Sequence, residues 1–403
     1  MAKTSPILSQ KCYKSVKKLR DRKIICIFAA VFQIIISMLV KFAVKNFRGF
    51  ADRIEWDLSH PSNYSFNTYA IKDGVVKNGI IYGPNGSGKS NFALAIFDIV
   101  YHLTQKYKKE DFYKNYVYGG DSKGKVLFEY TFKFGPQIVE YSYGKNMFGM
   151  LFAESLSVDG VNVFRREFDK LELDEEQFPI NADAKKNLQA NANNISIVNY
   201  LLTSYPLSKN HYLILLRDFV NSMLWFRSLK ANEYIGLDNS ITQLDEYIIQ
   251  NKFVDDFTAF LKNVSGQDFI FVKPNPTDKL LACKFKSGIV LFDDIASTGT
   301  LSLELLYYWL KKMNNASFVF IDEFDAFYHF KLAYEVCKQL FNLDCQVFTS
   351  SHNTYLMTND LLRPDCNFIL QDNKIKPLQA CTEKELRCGH NIEKLFRGGA
   401  FEV

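Results

Sequence analysis

From Met38 to Phe47 the chain reads Met-Leu-Val-Lys-Phe-Ala-Val-Lys-Asn-Phe, the alternation of a half-buried strand. Strands are predicted over residues 38–58 and 75–82, followed by a helix over 89–107. Short alternating stretches then recur at Val126–Phe134, Ile138–Tyr143, Met147–Val158 and Val161–Phe168, which predicts an antiparallel meander. Between 181 and 263 the period changes. Leu, Ile and Phe return at helical spacings, as in Ile195–Leu202 and Leu213–Phe226, without the sustained heptads of a coiled coil. Strands resume near Phe269–Val272 and Leu280–Phe285, and helix and strand alternate thereafter. The expected organisation is an N-terminal extension over 1–37, a first lobe over 38–175, a mainly helical insertion over 176–284 and a second lobe over 285–403.

The extension is basic and then apolar. Eight Lys and Arg residues against Asp21 give residues 1–37 a net +7, so the other 366 residues sit at −2 although the whole chain is +5. A body of that balance gives no bulk-charge reason to bind nucleic acid. The apolar run at 24–40 has the look of a membrane anchor. If Met38 opens the first strand, however, only Ile24–Ser37 remain, interrupted by Gln33, short of the roughly 17–25 residues that span a bilayer. The preferred expectation is an upstream extension with Met38 as the natural start, beside the alternatives of an anchor or an ordinary packed helix. Membrane contact is not expected. Eight cysteines without a C-x-x-C, several in apolar runs, suit reduced thiols in a cytoplasmic protein. The spacing of Cys381, Cys388 and His390 matches no standard zinc pattern.

The densest chemistry lies at Gly83-Pro84-Asn85-Gly86-Ser87-Gly88-Lys89-Ser90, the full G-x-x-x-x-G-K-[ST] pattern between an apolar strand and a helix. Its glycines let backbone N–H groups curl around phosphate, and the helix N-terminus adds positive potential. Lys89 is expected on the β- and γ-phosphates of ATP and the Ser90 hydroxyl on Mg²⁺. Phe318-Val319-Phe320-Ile321-Asp322-Glu323 is an apolar strand that delivers two carboxylates at its end. Asp322 is expected to hold the Mg²⁺ shell and Glu323 to activate water. A further short strand, Gln346–Ser351, ends at His352, placed to donate a hydrogen bond to a γ-phosphate. Ser297-Thr298-Gly299-Thr300 opens a helical run, Leu301–Lys312. Ser297, Gly299 and Thr300 form either a second phosphate-binding element, facing the loop of another chain, or a plain helix cap.

In this order the residues resemble the ABC-class ATPases related to SMC and RecF proteins. The nearest resemblance is to the "overcoming lysogenization defect" type and its abortive-infection relatives, PARIS-like and Septu-like phage-defence ATPases among them. The Gly83–Ser90 loop, the degenerate Ser297–Thr300 signature, the acids with Asp325 and His329 beyond them, and His352 carry the likeness. So does Val44–Phe50, whose Asn-Phe-Arg places Arg48 near nucleotide. The resemblance implies an α/β ABC/SMC-type P-loop ATPase core with an antiparallel β subdomain and a helical insertion. It implies ATP and Mg²⁺ as ligands and a homo-oligomer built through shared ATP sites. No clear Q-loop glutamine is visible, and Asn115–Tyr118 stands in its place. The chain runs about 50 residues past His352, too few for the TOPRIM nuclease of the lysogenization-defect type. The expected role is the ATPase sensor or scaffold of an anti-phage system, controlling a separate effector, a nuclease by analogy, with DNA or a phage protein as trigger. The alternative is a RecF/SMC-like DNA-binding ATPase of repair or recombination.

Overall fold

The phosphate-loop strand β5 (Asn78–Tyr82) is apolar on both faces because it lies in the middle of a sheet. In this computed structural model residues 35–403 are described, apart from 105, 107–109, 122, 192, 194, 228–232, 238–242, 276 and 403. The basic run, the start-site and anchor readings, and Cys12 and Cys26 lie outside the described residues. Ser37–Val403 forms one unit.

Its first sheet begins with β1 (Ser37–Lys45) and β2 (Ile54–Asp57), and a short hairpin of β3 (Ile71–Lys72) and β4 (Val75–Val76) precedes β5. β6 (Lys125–Phe134), β7 (Gln137–Asn146), β8 (Leu151–Val158), β9 (Val161–Glu167) and β10 (Lys170–Leu173) complete the meander. The order is β10-β9-β8-β7-β6-β1-β2, with every neighbour antiparallel. The strand expected to open at Met147 opens at Leu151. Asn146 Oδ1 accepts the N–H groups of Phe148 and Met150 and holds 147–150 in a turn instead.

The second sheet is drawn from the whole length of the unit. β11 (Leu224–Arg227) and β12 (Tyr234–Gly236) come from within 176–284, and β15 (Phe318–Asp322), β16 (Gln346–Ser351), β17 (Asn367–Gln371) and β18 (Lys374–Pro377) from beyond it; β13 (Ala282–Phe285) and β14 (Gly288–Leu291) pair apart as a hairpin. The order is β12-β11-β15-β16-β5-β17-β18, parallel from β11 through β17. Among the described residues the 176–284 segment holds five helices, yet it also supplies two strands, β11 and β12, of the sheet that carries the phosphate loop. The expected helix over Leu213–Phe226 stops at Asn221, and Leu224-Trp225-Phe226 turns into β11, where bulky β-formers are buried on both faces. The helix expected over 89–107 divides into Lys89–Ile96 and Asp98–Leu103 at Phe97. At Phe269–Val272 an isolated bridge, Phe271 to Cys283, replaces the expected strand.

The core lies between the sheets. Trp56 of β2 meets Phe92 of the loop helix, Phe348 of β16 and Phe368 of β17 edge-on at 5.7, 4.6 and 5.4 Å. Each such fully buried ring is worth about 2–3 kcal/mol of transfer free energy. The Gln346 amide ties the two sheets as well. Its Oε1 accepts the Leu39 N–H, and its Nε2 donates to the carbonyls of Leu39 and Val76. Among the described residues no helix is long and apolar enough to cross a membrane, and the described cysteines are free thiols.

Candidate active site

Three parallel strands end side by side. Pairing aligns Ile321 with Thr349 and Ser351 with Tyr82, so Gly83, Glu323 and His352 leave the same edge of the sheet. The carboxyl ends of parallel strands are where open α/β sheets bind ligands.

The loop between β5 and the helix Lys89–Ile96 is exposed at Pro84, Asn85 and Gly86. Gly86 and Gly88 adopt positive φ of 78° and 98°. The N–H groups of Gly86, Gly88 and Lys89 have no hydrogen-bond partner among the described residues, leaving donors arrayed for an anion. Gly88 is doubly constrained, because an added Cβ would stand 2.8 Å from Phe50 Cζ. Lys89 is buried, and its ammonium donates to the carbonyls of Gly83 and Pro84 at 2.8 and 3.1 Å. Burial lowers its pKa, opposed by the charges of Asp322 and Glu323. The Ser90 hydroxyl makes no hydrogen bond among the described residues, and Ser87 Oγ is buried without a partner. Unused donors, a lysine and two free hydroxyls fit a triphosphate with its metal.

Asp322 is wholly buried. Its Oδ1 accepts the Ser350 hydroxyl at 2.6 Å, and its Oδ2 accepts a fork from Arg227 at 3.1 and 3.3 Å. Ser350 Oγ in turn accepts the Glu323 N–H at 2.8 Å. Glu323 holds φ 50°, a left-handed backbone that a non-glycine residue adopts under constraint. Asp325 Oδ2 accepts the Ser351 hydroxyl at 2.7 Å. The His352 imidazole lies below its usual pKa of 6.5, pushed down by burial and then by Lys89, while Asp325, Glu323 and Asp322 pull upward. Lys89, Asp322, Glu323 and His352 therefore share one electrostatic neighbourhood. Sequence reasoning missed Arg227; register places it directly beside Asp322.

Ser297 caps the helix Thr298–Lys312, accepting the Thr300 N–H at 3.2 Å. The Thr300 side chain departs from expectation. It is buried, bonded to Ser297 Oγ at 2.9 Å and to Gln267 at 3.1 Å, and turned inward rather than offered to a ligand. Ser297 is exposed, and an added Cβ at Gly299 would meet the Phe327 carbonyl at 3.0 Å, so the cap sits against the turn that follows the acids. Ser302 and Tyr328 hydroxyls join the two at 3.0 Å. Arg48 lies in the turn whose Phe50 ring backs the phosphate loop, with φ 48°. Its guanidinium donates to the Phe112 carbonyl at 3.2 Å and lies over the Phe47 and Phe112 rings, instead of reaching the loop. Tyr116, in the stretch standing for the Q-loop, accepts the Arg48 N–H.

The profile of the family described as "AAA domain, putative AbiEii toxin, Type IV TA system" matches residues 80–358. That span holds the phosphate loop, the Ser297 cap, both acids and His352, and leaves out Arg48. No curated protein matches the chain. Similar solved structures include the SMC head domain from Thermotoga maritima, at 13% identity and TM-score 0.40, covering 84% of this chain and 98% of that one. The Smc head bound to the C-winged helix domain of ScpA reaches 15% and 0.42, covering 84% and 96%. RecF with ATP, of the RecFOR pathway, reaches 14% and 0.36, covering 85% and 100%.

Proposed function

As the chain belongs to the AbiEii-type AAA-domain family, we propose that it is a Mg²⁺-dependent ATP hydrolase that works as the sensor or scaffold of an abortive-infection system, holding a separate effector in check. The observation that carries the hydrolase reading is the meeting of Lys89, Asp322, Glu323 and His352 at adjacent carboxyl ends of β5, β15 and β16.

Ser90 and Asp322 would hold Mg²⁺, whose charge offsets that of the phosphates. The N–H groups of the loop cradle the phosphate chain, and Lys89 leaves the Gly83 and Pro84 carbonyls to take the γ-phosphate. The strained backbone of Glu323, fixed by Ser350, presents its carboxylate to accept a proton from water. A neutral His352 donates to the γ-phosphate, and its tie through Ser351 to Asp325 would carry the loss of that phosphate to the turn against the Ser297 cap. Ser297, exposed at a helix N-terminus, would complete the site of a second copy, which makes the assembly a homo-oligomer. The effector is read as a nuclease and the trigger as DNA or a phage protein, by analogy with defence ATPases.

Phosphate release from Mg-ATP by the full chain tests the reading. Lys89→Ala should abolish turnover, and Glu323→Gln should lower it by about 10²–10⁴-fold while trapping an ATP-bound assembly in size-exclusion light scattering. A Glu323→Gln protein that hydrolyses like the parent would show that another group is the base. Loss of phage protection in the Lys89→Ala strain tests the defence role separately.

A further inference from the structure

Away from the phosphate loop, three acids converge. Asp245 lies in the first turn of the helix Leu244–Gln250, Asp293 in the turn Phe292–Ile295, and Glu304 on the helix Thr298–Lys312, one turn past Thr300. One carboxylate oxygen from each lies within 4.8 Å of the others. Asp245 and Glu304 are only 5% and 3% exposed, whereas Asp293 faces solvent. Asp245 Oδ2 accepts the Leu281 N–H at 2.7 Å. Its Oδ1 and Glu304 Oε1 are buried and face no N–H or O–H donor. Among the described residues no lysine or arginine pairs with any of the three.

Buried carboxylates this close cannot all stay ionised without a counter-charge. Burial, and then Asp245 and Asp293, push Glu304 up to about 10; burial, Asp245 and Asp294 raise Asp293 as well. Either a proton or a cation must neutralise the cluster. Two buried carboxylate oxygens without a donor, in a triad within 4.8 Å that is exposed at Asp293, offer the all-oxygen donor set of a metal site. A proton on Glu304, donated to Asp245, is the competing occupant, and metal uptake separates the two.

We propose that Asp245, Asp293 and Glu304 form a binding site for a hard divalent cation, with water completing the shell on the Asp293 side. All-oxygen donors select Mg²⁺, Ca²⁺ or Mn²⁺ over softer metals. The ion displaces the Glu304 proton to solvent, so affinity rises with pH. It joins three segments, one leading directly into Ser297 and another carrying the helix that Ser297 caps. Occupancy thus fixes the position of the cap.

The test uses the full chain, nucleotide-free and stripped with chelator, titrated with Mn²⁺ alone. Free Mn²⁺ is followed by electron paramagnetic resonance, and melting temperature in parallel. The expected result is saturable uptake near one ion per chain, tighter at pH 8 than at pH 6, with a rise in melting temperature. Asp293→Asn, a surface change that leaves the buried pair intact, should weaken uptake at least tenfold, and Glu304→Gln should remove it. Ser90→Ala should retain it, because the phosphate loop takes no part. No saturable uptake by the parent, uptake that survives Asp293→Asn and Glu304→Gln, or uptake lost in Ser90→Ala would each overturn the site. With no nucleotide present, the result does not depend on the hydrolysis reading above.

Discussion

Arg227 holds the fully buried carboxylate of Asp322 through Nε and Nη2, both on Oδ2. The pair joins the ends of two neighbouring parallel strands, and Arg227 also reaches Glu233 at 3.3 Å. Arg227→Ala leaves Asp322 with Ser350 alone. Stranding one partner of a buried pair costs up to 3–5 kcal/mol, and the partial exposure of Arg227 reduces this to about 2 kcal/mol. Urea unfolding should show that loss. Arg227→Lys should recover only part of it, because an ammonium lacks the planar fork.

Gly88 faces two demands at once, a φ of 98° and the Phe50 ring 2.8 Å from any added Cβ. Gly88→Ala should destabilise by about 2 kcal/mol, combining left-handed strain with overpacking, and weaken nucleotide binding measured by calorimetry. Phe50→Leu in the same chain should restore part of the stability and not all of it, since the clash goes and the backbone strain stays.

His352 titrates below 6.5 because burial and the Lys89 charge outweigh Asp325, Glu323 and Asp322. The folded ring is then neutral at pH 7. Below 6.5 the unfolded chain binds a proton that the folded chain resists, so this residue lowers stability as pH falls through that value and has no effect above it. An NMR titration should give a midpoint under 6.5, moving upward in Lys89→Ala. A midpoint above 6.5 would mean that the carboxylates dominate.

Ser297 is exposed and caps its helix, and in the proposed reading it completes the site of a second chain. If sites are shared, Lys89→Ala and Ser297→Arg chains, each inactive alone, should regain a fraction of parent turnover when mixed, because some dimers then hold one intact site. An inactive mixture that still forms mixed dimers would place each site within one chain.

The phosphate loop, the paired acids and His352 were readable because each is a short-range motif at the end of an apolar strand. The meander was readable because one face of each strand is buried and alternation survives. Arg227 was hidden for the opposite reason. β11 is four residues long and covered on both faces, so Leu224-Trp225-Phe226 shows no period of two and extends the helical run before it. Thr300 looked like a ligand because its type fits one. Gln267, 33 residues away, turns its hydroxyl inward, and no local pattern reports so distant a partner. Arg48 was placed beside the loop by motif, and its turn does lie there, but the Phe112 carbonyl that engages its guanidinium comes from a segment without regular pattern.

The partners of β5 have a consequence for how the protein is made. Residues 78–82 pair with 347–351 on one side, and 80–82 with 367–369 on the other. During synthesis the phosphate loop leaves the ribosome with its flanking strand unpaired, and more than 260 residues must follow before either neighbour exists. Contacts of such long range form late and slowly. A chain interrupted before residue 346 therefore carries an intact loop sequence with neither of its neighbouring strands beside it.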